Sequence, residues 1–273
     1  MGPLDGRVAL VTGGSRGIGK GCALELAAAG ATVYVTGRTL EEGEAPLPGS
    51  LARTAREIQE AGGQCVPVAC DHGDDKDVTQ LFEKIQDEQH HLDVLVNNAF
   101  YVSGDLNPKL PFWETPLGLW DDMLDIGTRS AYVATHFAAR MMVSVGRGLI
   151  VNISSAGAVR FYHHLAYGVG KAALDRISKD AARPLHEHGV AIVSIWPWVV
   201  KTERVLELAG GRVPLEGAES QRFCGKGVVA LAADPEVLRH SGQALTTREL
   251  SEIYGYTDRD GSRPRDARED LHP

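Results

Sequence analysis

Residues 7–30 of the chain, RVALVTGGSRGIGKGCALELAAAG, decide the fold. The short apolar run 7–12 predicts a buried strand, and residues 20–29, closed by a glycine, predict a helix. Between them lies a turn with glycines at Gly13, Gly17 and Gly19. Such a turn suits a pyrophosphate, because glycines let the backbone approach closely and a helix N-terminus offers free N–H groups to an anion. The stretch therefore predicts a nucleotide site.

Six more apolar runs follow and predict further strands at residues 32–36, 64–69, 92–97, 147–153, 190–196 and 243–246. Helical patterns at residues 51–61, 76–89, 117–145, 167–188 and 225–233 separate most of them. Strands that alternate with helices without a linker predict one α/β domain, a Rossmann-type doubly wound parallel sheet of about seven strands flanked by helices. We expect this single domain to span residues 1–263. The charged tail at 264–273 is expected to be mobile beyond Arg263.

Composition and charge exclude several functional classes. The chain has 273 residues with 28 Lys and Arg, 36 Asp and Glu and a net charge of −8, and it lacks the basic patch that a nucleic-acid partner would need. No stretch of about 18 apolar residues predicts a membrane span, and the N-terminus lacks the apolar core of a signal peptide. Four scattered cysteines are typical of reduced core residues, so we expect a cytoplasmic protein.

Two arginines lie where the ribose of a bound dinucleotide is expected. The second strand ends at Gly37-Arg38, where an acidic residue often accepts a hydrogen bond from the 2′-hydroxyl of NAD. Arg38 and Arg16 instead suit a 2′-phosphate, which guanidinium groups bind with charge-assisted hydrogen bonds. The sequence therefore predicts NADP(H), with two solvated arginines as the alternative interpretation. Asp71, at the carboxyl end of the third strand, is expected near the adenine.

Tyr167 and Lys171 are four residues apart, which places both side chains on one face of a helix. A phenol has a pKa of about 10, too high for ready proton exchange near neutrality. A nearby ammonium group and a cationic cofactor ring would both stabilise the phenolate and lower that pKa. The pair therefore predicts a tyrosine that acts as a general acid or base on a hydroxyl or carbonyl group.

In this order and at these spacings, the motifs resemble those of the short-chain dehydrogenase/reductase superfamily over residues 4–246. The motifs are Thr12-Gly-x-x-x-Gly-Ile-Gly19, Asn97-Asn98-Ala99, Ser154-Ser155, Tyr167-x-x-x-Lys171 and Pro197-x-x-x-x-Thr202. The resemblance implies a single Rossmann-type domain, a small-molecule carbonyl or alcohol substrate, and a homodimer or homotetramer. We expect no nucleic-acid or membrane partner from the composition, and no metal site, because His186-x-His188 has no convincing third ligand.

The resemblance also implies individual roles. Tyr167 would be the catalytic acid or base, and Lys171 would lower its pKa and bind the nicotinamide ribose. A serine after the fifth strand would orient the substrate oxygen; anchoring on the strand end favours Ser155 over Ser154. The implied cofactor contacts are Asn97 and Asp71 at the adenosine, Thr202 at the carboxamide, and Gly13, Ser15, Arg16, Gly17, Ile18 and Gly19 along the pyrophosphate.

Three positions depart from the usual family pattern. Phe100 and Trp198 are bulky where many members have small residues, and Gly127 replaces an asparagine that supports a proton-relay water in many members. The glycine puts that relay in doubt but does not affect the hydride step. We expect the substrate pocket to be formed by residues 100–112, 161–165 and 198–224. His163 and His164 would either hydrogen-bond the substrate or form a polar rim.

Two functions from different classes follow. The first is an NADPH-dependent carbonyl reductase, reversible as an alcohol dehydrogenase, whose aromatic pocket favours a bulky ketone, aldehyde or dione. The second is an NADP(H)-binding regulatory protein with little or no turnover, which would signal through residues 199–224. Ser155, Tyr167 and Lys171 together favour the enzyme, because a protein that only binds the cofactor does not need all three.

Overall fold

Seven parallel strands form one sheet in the order β3-β2-β1-β4-β5-β6-β7. The structure is a computed structural model and describes residues 2–101, 110–162, 164–208 and 215–269. The strands are β1 Val8–Thr12, β2 Thr32–Gly37, β3 Gln64–Ala69, β4 Val94–Asn97, β5 Gly148–Ile153, β6 Val190–Trp196 and β7 Ala244–Thr246. The predicted doubly wound sheet is confirmed.

Strand order reverses next to β1, and that reversal creates the crevice in which ligands bind in such sheets. From β1 the chain winds outward to β2 and β3, then crosses back to β4 on the other side of β1. Ala9 pairs with Val33 of β2 and with Val94 of β4, so β1 lies in the middle of the sheet. All five of its residues are buried, which explains why the sequence of this strand is a continuous apolar run.

Nine α-helices are described, and the longer ones cover the two faces of the sheet. They are α1 Gly17–Ala28, α2 Leu51–Glu60, α3 Asp75–Gln89, α4 Gly118–Asp121, α5 Ser130–Val145, α6 Leu165–His186, α7 Glu203–Leu208, α8 Gln221–Ala233 and α9 Thr247–Tyr254. Alternate strand residues face opposite layers. Ala9 and Val11 pack with α1, α2 and α8 in one core, whereas Val8 and Leu10 pack with α3 and α5 in the other.

The predicted helix over residues 117–145 is divided into three consecutive pieces. A π-helical segment, Asp122–Arg129, lies between α4 and α5 and contains Gly127. Such segments insert an extra residue into the helix ladder and frequently occur at functional sites. Apolar periodicity does not distinguish this segment from an ordinary helix. The short helices α7 and α9 were not predicted, although Thr246 and Glu249 form a capping box that marks the start of α9.

The expected mobile tail instead packs against the molecule as far as residue 269. Ala267 is buried. Arg268 donates hydrogen bonds to the Ala244 carbonyl at 2.6 Å and to Glu249 at 3.0 Å, and its guanidinium lies 4.9 Å from the centre of the Trp196 ring. The tail is charged, but acceptors and an aromatic face are available to its arginine, so composition alone gave the wrong expectation. Residues 270–273 lie outside the described part.

All four cysteines belong to the described chain, and each is buried and free of a disulfide. Across the described residues, no helix combines the length and the apolar character that crossing a bilayer requires.

Candidate active site

A cleft of about 870 Å³ runs along the carboxyl ends of the strands, which is within the usual size range of small-molecule sites. It brings together most of the residues that the sequence singled out. Those that line it are Gly13, Ser15, Arg16, Gly17, Ile18, Arg38, Asp71, Ser154, Ser155, Tyr167, Lys171 and Thr202. Two predicted cofactor contacts, Gly19 and Asn97, are not part of its lining.

The glycine turn shapes one half of the cleft through its backbone. Gly13 and Gly17 have φ angles of 68° and 57°, in the left-handed region that favours glycine. Gly19 has a different function, because a Cβ atom there would lie 2.3 Å from the carbonyl oxygen of Gly13. Its missing side chain lets α1 pack directly against the turn, while its predicted contact with the cofactor stays a prediction.

Asn98, which the sequence analysis did not single out for a role, holds the turn in place. Its side-chain amide donates to the carbonyl oxygens of Thr12 at 2.9 Å and Gly13 at 3.0 Å. The Thr12 hydroxyl accepts from the backbone N–H groups of Asn98 and Ala99, both at 2.9 Å. The end of β4 is thereby tied to the end of β1. The signal that could have found this link is the polar Asn-Asn pair directly after a buried strand.

Asn97 points away from the cleft, contrary to the expectation of an adenosine contact. Its amide donates to Asn152 Oδ1 at 2.8 Å and to Thr135 Oγ1 at 3.0 Å, which links β4 to β5 and α5. Successive side chains of a strand point to opposite faces. Asn97 is the last residue of β4 and is buried in the layer beneath the cleft, whereas Asn98 reaches the cleft itself.

The N-terminus of α1 already binds a carboxylate. The backbone N–H of Gly17 donates to Glu203 Oε2 at 2.9 Å, and Glu203 is the first residue of α7. The free N–H groups and the dipole of a helix N-terminus favour negative charge. The contact shows that the turn accepts an anionic group, as binding of the pyrophosphate of a dinucleotide would require. Thr202, directly before α7, also lines the cleft.

Two arginines and one aspartate lie at the outer end of the same half. The exposed Arg38 guanidinium lies 5.1 Å from the centre of the Tyr101 ring. Arg16 donates to the Gly49 carbonyl at 2.7 Å, and burial lowers its pKa while Glu203 opposes that effect. Asp71 follows β3 and accepts from the backbone N–H of Gly73 at 2.9 Å. Arg16, Arg38 and Asp71 all line the cleft at this end.

The other half of the cleft places a tyrosine and a serine together. Tyr167, in the first turn of α6, donates a hydrogen bond to Ser155 Oγ at 2.8 Å. Ser155 Oγ also accepts from the backbone N–H of Gly157 at 3.0 Å, which fixes its orientation. Ser154 is buried, and its hydroxyl donates to the Lys171 carbonyl at 3.2 Å. Of the two serines, only Ser155 presents its hydroxyl to Tyr167.

Lys171 lies one turn after Tyr167, as the spacing predicted, but burial has the largest effect on the tyrosine pKa in this structure. Its ammonium group donates to the Ile153 carbonyl at 2.9 Å and lies 5.8 Å from the centre of the Tyr167 ring. Burial raises the pKa of Tyr167, opposed by its hydrogen bond with Ser155. The predicted lowering of the Tyr167 pKa by Lys171 together with a cationic cofactor ring stays a prediction for the cofactor-bound protein. Burial also lowers the pKa of Lys171 to about 8.

Asp175 is a further member of this group that the sequence analysis missed. Its charge opposes the lowering of the Lys171 pKa, and burial raises its own pKa. The indole N–H of Trp196 donates to Asp175 Oδ2 at 3.0 Å. The signal was present in the sequence, because Tyr167, Lys171 and Asp175 follow one another at intervals of four residues along one helix face.

The expected pocket wall is described in part. Phe100, Tyr101 and Trp198 line the cleft, whereas His164 caps α6 by accepting from the backbone N–H of Ala166. That contact uses Nδ1 of His164, and the predicted role of this residue at the substrate stays a prediction. His163 and the parts of the wall in residues 102–109 and 209–214 lie outside the described residues.

Comparisons with known proteins agree with this arrangement. The family model for short chain dehydrogenases matches residues 7–210. The human and mouse proteins named dehydrogenase/reductase SDR family member 1 are 45% and 46% identical over 274 residues, covering 95% of this chain and 85% of each relative.

Solved structures show the same fold. A metagenomic short-chain oxidoreductase in complex with NADP is 27% identical, with a TM-score of 0.72 over 89% of this chain and 98% of its own. A putative NAD(P) dependent gluconate 5-dehydrogenase from Beutenbergia cavernae, with bound NADP at low occupancy, is 26% identical, with a TM-score of 0.76 over 92% of this chain and 98% of its own.

Proposed function

The chain belongs to the short-chain dehydrogenase family, and from this membership we propose that it is an NADPH-dependent carbonyl reductase, reversible as an alcohol dehydrogenase. The observation that carries the proposal is the 2.8 Å hydrogen bond between Tyr167 and Ser155 at the cleft. Two hydroxyl groups at this distance can both reach one substrate oxygen.

Bound NADPH supplies the hydride for reduction of a carbonyl carbon. Tyr167 acts as the general acid, and its raised pKa keeps the phenol protonated at neutral pH. Ser155, oriented by the Gly157 backbone, holds the carbonyl oxygen beside that phenol. When the proton has moved to the substrate oxygen, the nearby Lys171 ammonium stabilises the phenolate that remains on Tyr167.

The proposed preference for NADP(H) over NAD(H) rests on Arg38 and Arg16. Both line the cleft, and guanidinium groups bind a 2′-phosphate with charge-assisted hydrogen bonds. The two solved relatives described above bind NADP, which supports the same preference. Asp71 would lie near the adenine, and Thr202 near the nicotinamide carboxamide.

The proposed substrate is a bulky and partly apolar ketone, aldehyde or dione. Aromatic side chains of Phe100, Tyr101 and Trp198 line the cleft. Large aromatic surfaces favour substrates that bury apolar area on binding. Short and strongly polar carbonyl compounds would leave these rings exposed to water.

The decisive experiment measures NADPH consumption with a panel of aromatic ketones, diones, quinones and aldehydes, repeated with NADH. We expect consumption with a bulky member of the panel and at least tenfold weaker use of NADH. Tight binding of NADPH, with no consumption of NADPH in the reduction and no formation of NADPH in the reverse reaction, would contradict the reductase. It would favour the regulatory protein instead.

The two neighbouring serines provide a matched pair of variants for the same assay. We expect Ser155→Ala to lower kcat about 100-fold, within the range found when one stabilising donor is removed from an active site. Ser154→Ala should lower kcat less than tenfold, because the Ser154 hydroxyl donates to the backbone carbonyl of Lys171 and not to Tyr167. A larger loss of kcat in Ser154→Ala than in Ser155→Ala would indicate that Ser154 binds the substrate oxygen.

A homodimer or homotetramer in the cytoplasm completes the proposal. Sedimentation velocity would measure the oligomeric state, and a monomer at micromolar concentration would contradict this part of the proposal.

A further inference from the structure

Two positions that depart from the family pattern, Phe100 and Gly127, are in contact with each other. A Cβ atom at Gly127 would lie 3.0 Å from Cδ2 and 3.2 Å from Cε2 of the Phe100 ring. Real Cβ contacts are rarely this short, so any side chain at position 127 would displace the ring. The φ angle of Gly127 is not positive. Space for the ring therefore explains this glycine, and backbone strain does not.

The Phe100 ring contacts both members of the Tyr-Lys pair. The Lys171 ammonium lies 4.7 Å from its centre, within the range of a cation–π interaction. The Tyr167 ring meets it edge to face, with centroids 5.8 Å apart and planes at 78°. A ring in this position restrains both side chains at once.

The contacts of Lys171 explain why an apolar ring matters there. The ammonium group donates to the Ile153 carbonyl and faces the Phe100 ring. Leu119, Met123 and Ala166 form an apolar cluster against which Phe100 packs. The lysine therefore has little contact with water, which agrees with the direction of its pKa shift.

We propose that Phe100 is a positioning residue for the reaction: its ring holds the Lys171 ammonium and the Tyr167 phenol in place, in space that Gly127 leaves open. The kinetic part of this proposal rests on the proposed carbonyl reduction, whereas the contact and the environment of the lysine do not. The two departures are one paired feature, in which a bulky residue at 100 favours the smallest residue at 127.

A set of variants tests the pairing. We expect Gly127→Ala to lower kcat about tenfold, since small misplacements of reacting groups are costly, while the Kd for NADPH changes less than threefold. In the double variant with Phe100→Leu, the smaller side chain should restore kcat to at least the level of Phe100→Leu alone. Gly118→Ala is the matched control, because a Cβ at Gly118 meets nothing within 4 Å. If the loss of kcat in the double variant equals the product of the losses in the two single variants, the pairing is overturned.

The titration of Lys171 gives a readout that does not need turnover. NMR of protein with 13C-labelled lysine side chains, assigned with Lys171→Met, should place its pKa near 8 in the wild type. Phe100→Ala should raise that pKa by about 1 unit, because water then reaches the ammonium and burial no longer disfavours its charge. Phe100→Leu keeps an apolar side chain and should shift it less.

The outcomes separate this proposal from the proposed function. An unchanged Lys171 titration in Phe100→Ala overturns the positioning role whether or not the wild type reduces a carbonyl. If the wild type reduces no carbonyl, the reductase fails, and the NMR titration decides about Phe100. A shift of the Lys171 pKa together with a loss of kcat at constant NADPH affinity supports positioning. If Phe100 had a purely structural role, a variant with the unfolding free energy of the wild type would show neither the pKa shift nor the loss of kcat.

Discussion

The two halves of the cleft are built by different means. The cofactor half, which we define as residues 13–18 with Arg38 and Asp71, consists mainly of the backbone of one continuous turn. The reacting half, defined as Phe100, Ser155, Tyr167, Lys171 and Trp198, is assembled from four separate segments through side-chain contacts. A site formed by the backbone can be predicted from the local spacing of glycines. A site formed by side chains depends on which residues, distant in sequence, come into contact in the fold.

The largest effect on the cofactor half is expected from Gly19→Ala. The new Cβ would lie 2.3 Å from the Gly13 carbonyl oxygen and 2.4 Å from Asn98 Nδ2, so the turn must move. We expect the Kd for NADPH to rise about 100-fold, equivalent to about 2.7 kcal/mol. Isothermal titration measures this change, with Gly118→Ala as the control. Unaltered affinity would show that the turn does not depend on close packing with α1.

A smaller effect is expected from Arg38→Gln, which tests the side-chain contribution to the cofactor half. Loss of one charge-assisted hydrogen bond costs about 1.5 kcal/mol, so the Kd for NADPH should rise about tenfold. The Kd for NADH should change less than twofold, because NADH lacks the 2′-phosphate. Arg56→Gln removes another exposed arginine, which lies on α2, and serves as the control. Equal losses for both cofactors would contradict phosphate recognition by Arg38.

Glu203→Gln should strengthen cofactor binding, because the carboxylate competes for the N–H of Gly17. A charge near a helix N-terminus contributes about 0.3–1 kcal/mol, so we expect the Kd for NADPH to fall about threefold. Glu60→Gln, an exposed residue of α2, controls for the change in net charge. Weaker binding in Glu203→Gln would instead mean that this carboxylate supports the turn.

The smallest effect on the cleft is expected from a substitution of Glu219, a buried residue that contacts Trp198 of the reacting half. It is fully buried and accepts from the backbone N–H of Trp198 at 2.6 Å, and burial raises its pKa to about 8. The ordinary pKa of a glutamate is 4.5. Between pH 4.5 and about pH 8, Glu219 therefore retains a proton in the folded chain that it releases in the unfolded chain. This group therefore makes the free energy of unfolding fall as pH rises, by at most about 1.4 kcal/mol per unit.

Glu219→Gln should remove that dependence while changing the Kd for NADPH less than twofold. Urea unfolding at pH 5 to 8 measures the slope, and Glu216→Gln, at an exposed position, should retain the wild-type slope. A slope in Glu219→Gln equal to that of the wild type would show that this carboxyl does not bind the extra proton.

The difference between the halves also explains what the sequence could predict. Strand bounds were predicted to within two residues, because a buried parallel strand such as Val190–Trp196 is apolar at every position except Ser194. The glycine turn and the Tyr167–Lys171 spacing are local features as well. Asn97 lies outside the cleft lining although an adenosine contact was predicted for it, because the direction of a side chain at a strand end depends on the register of the sheet.

Other features depended on packing that no local pattern contains. The contact between Phe100 and Gly127 joins residues 27 positions apart, and the π-helical segment that carries Gly127 has an ordinary helical sequence pattern. The direction of the Tyr167 pKa depends on how deeply its hydroxyl is buried, which spacing along a helix does not reveal. The catalytic and cofactor roles of the individual residues stay predictions.

Tyr167→Phe tests most directly whether binding and reaction belong to different halves of the cleft. The variant removes one hydroxyl group, and it should be assayed for NADPH affinity and for carbonyl reduction in parallel. We expect the Kd for NADPH to stay within threefold of the wild type while kcat falls about 1,000-fold, because a general acid contributes roughly 10² to 10⁴. Comparable turnover in Tyr167→Phe, or a loss of NADPH binding that accounts for the lost activity, would contradict this division.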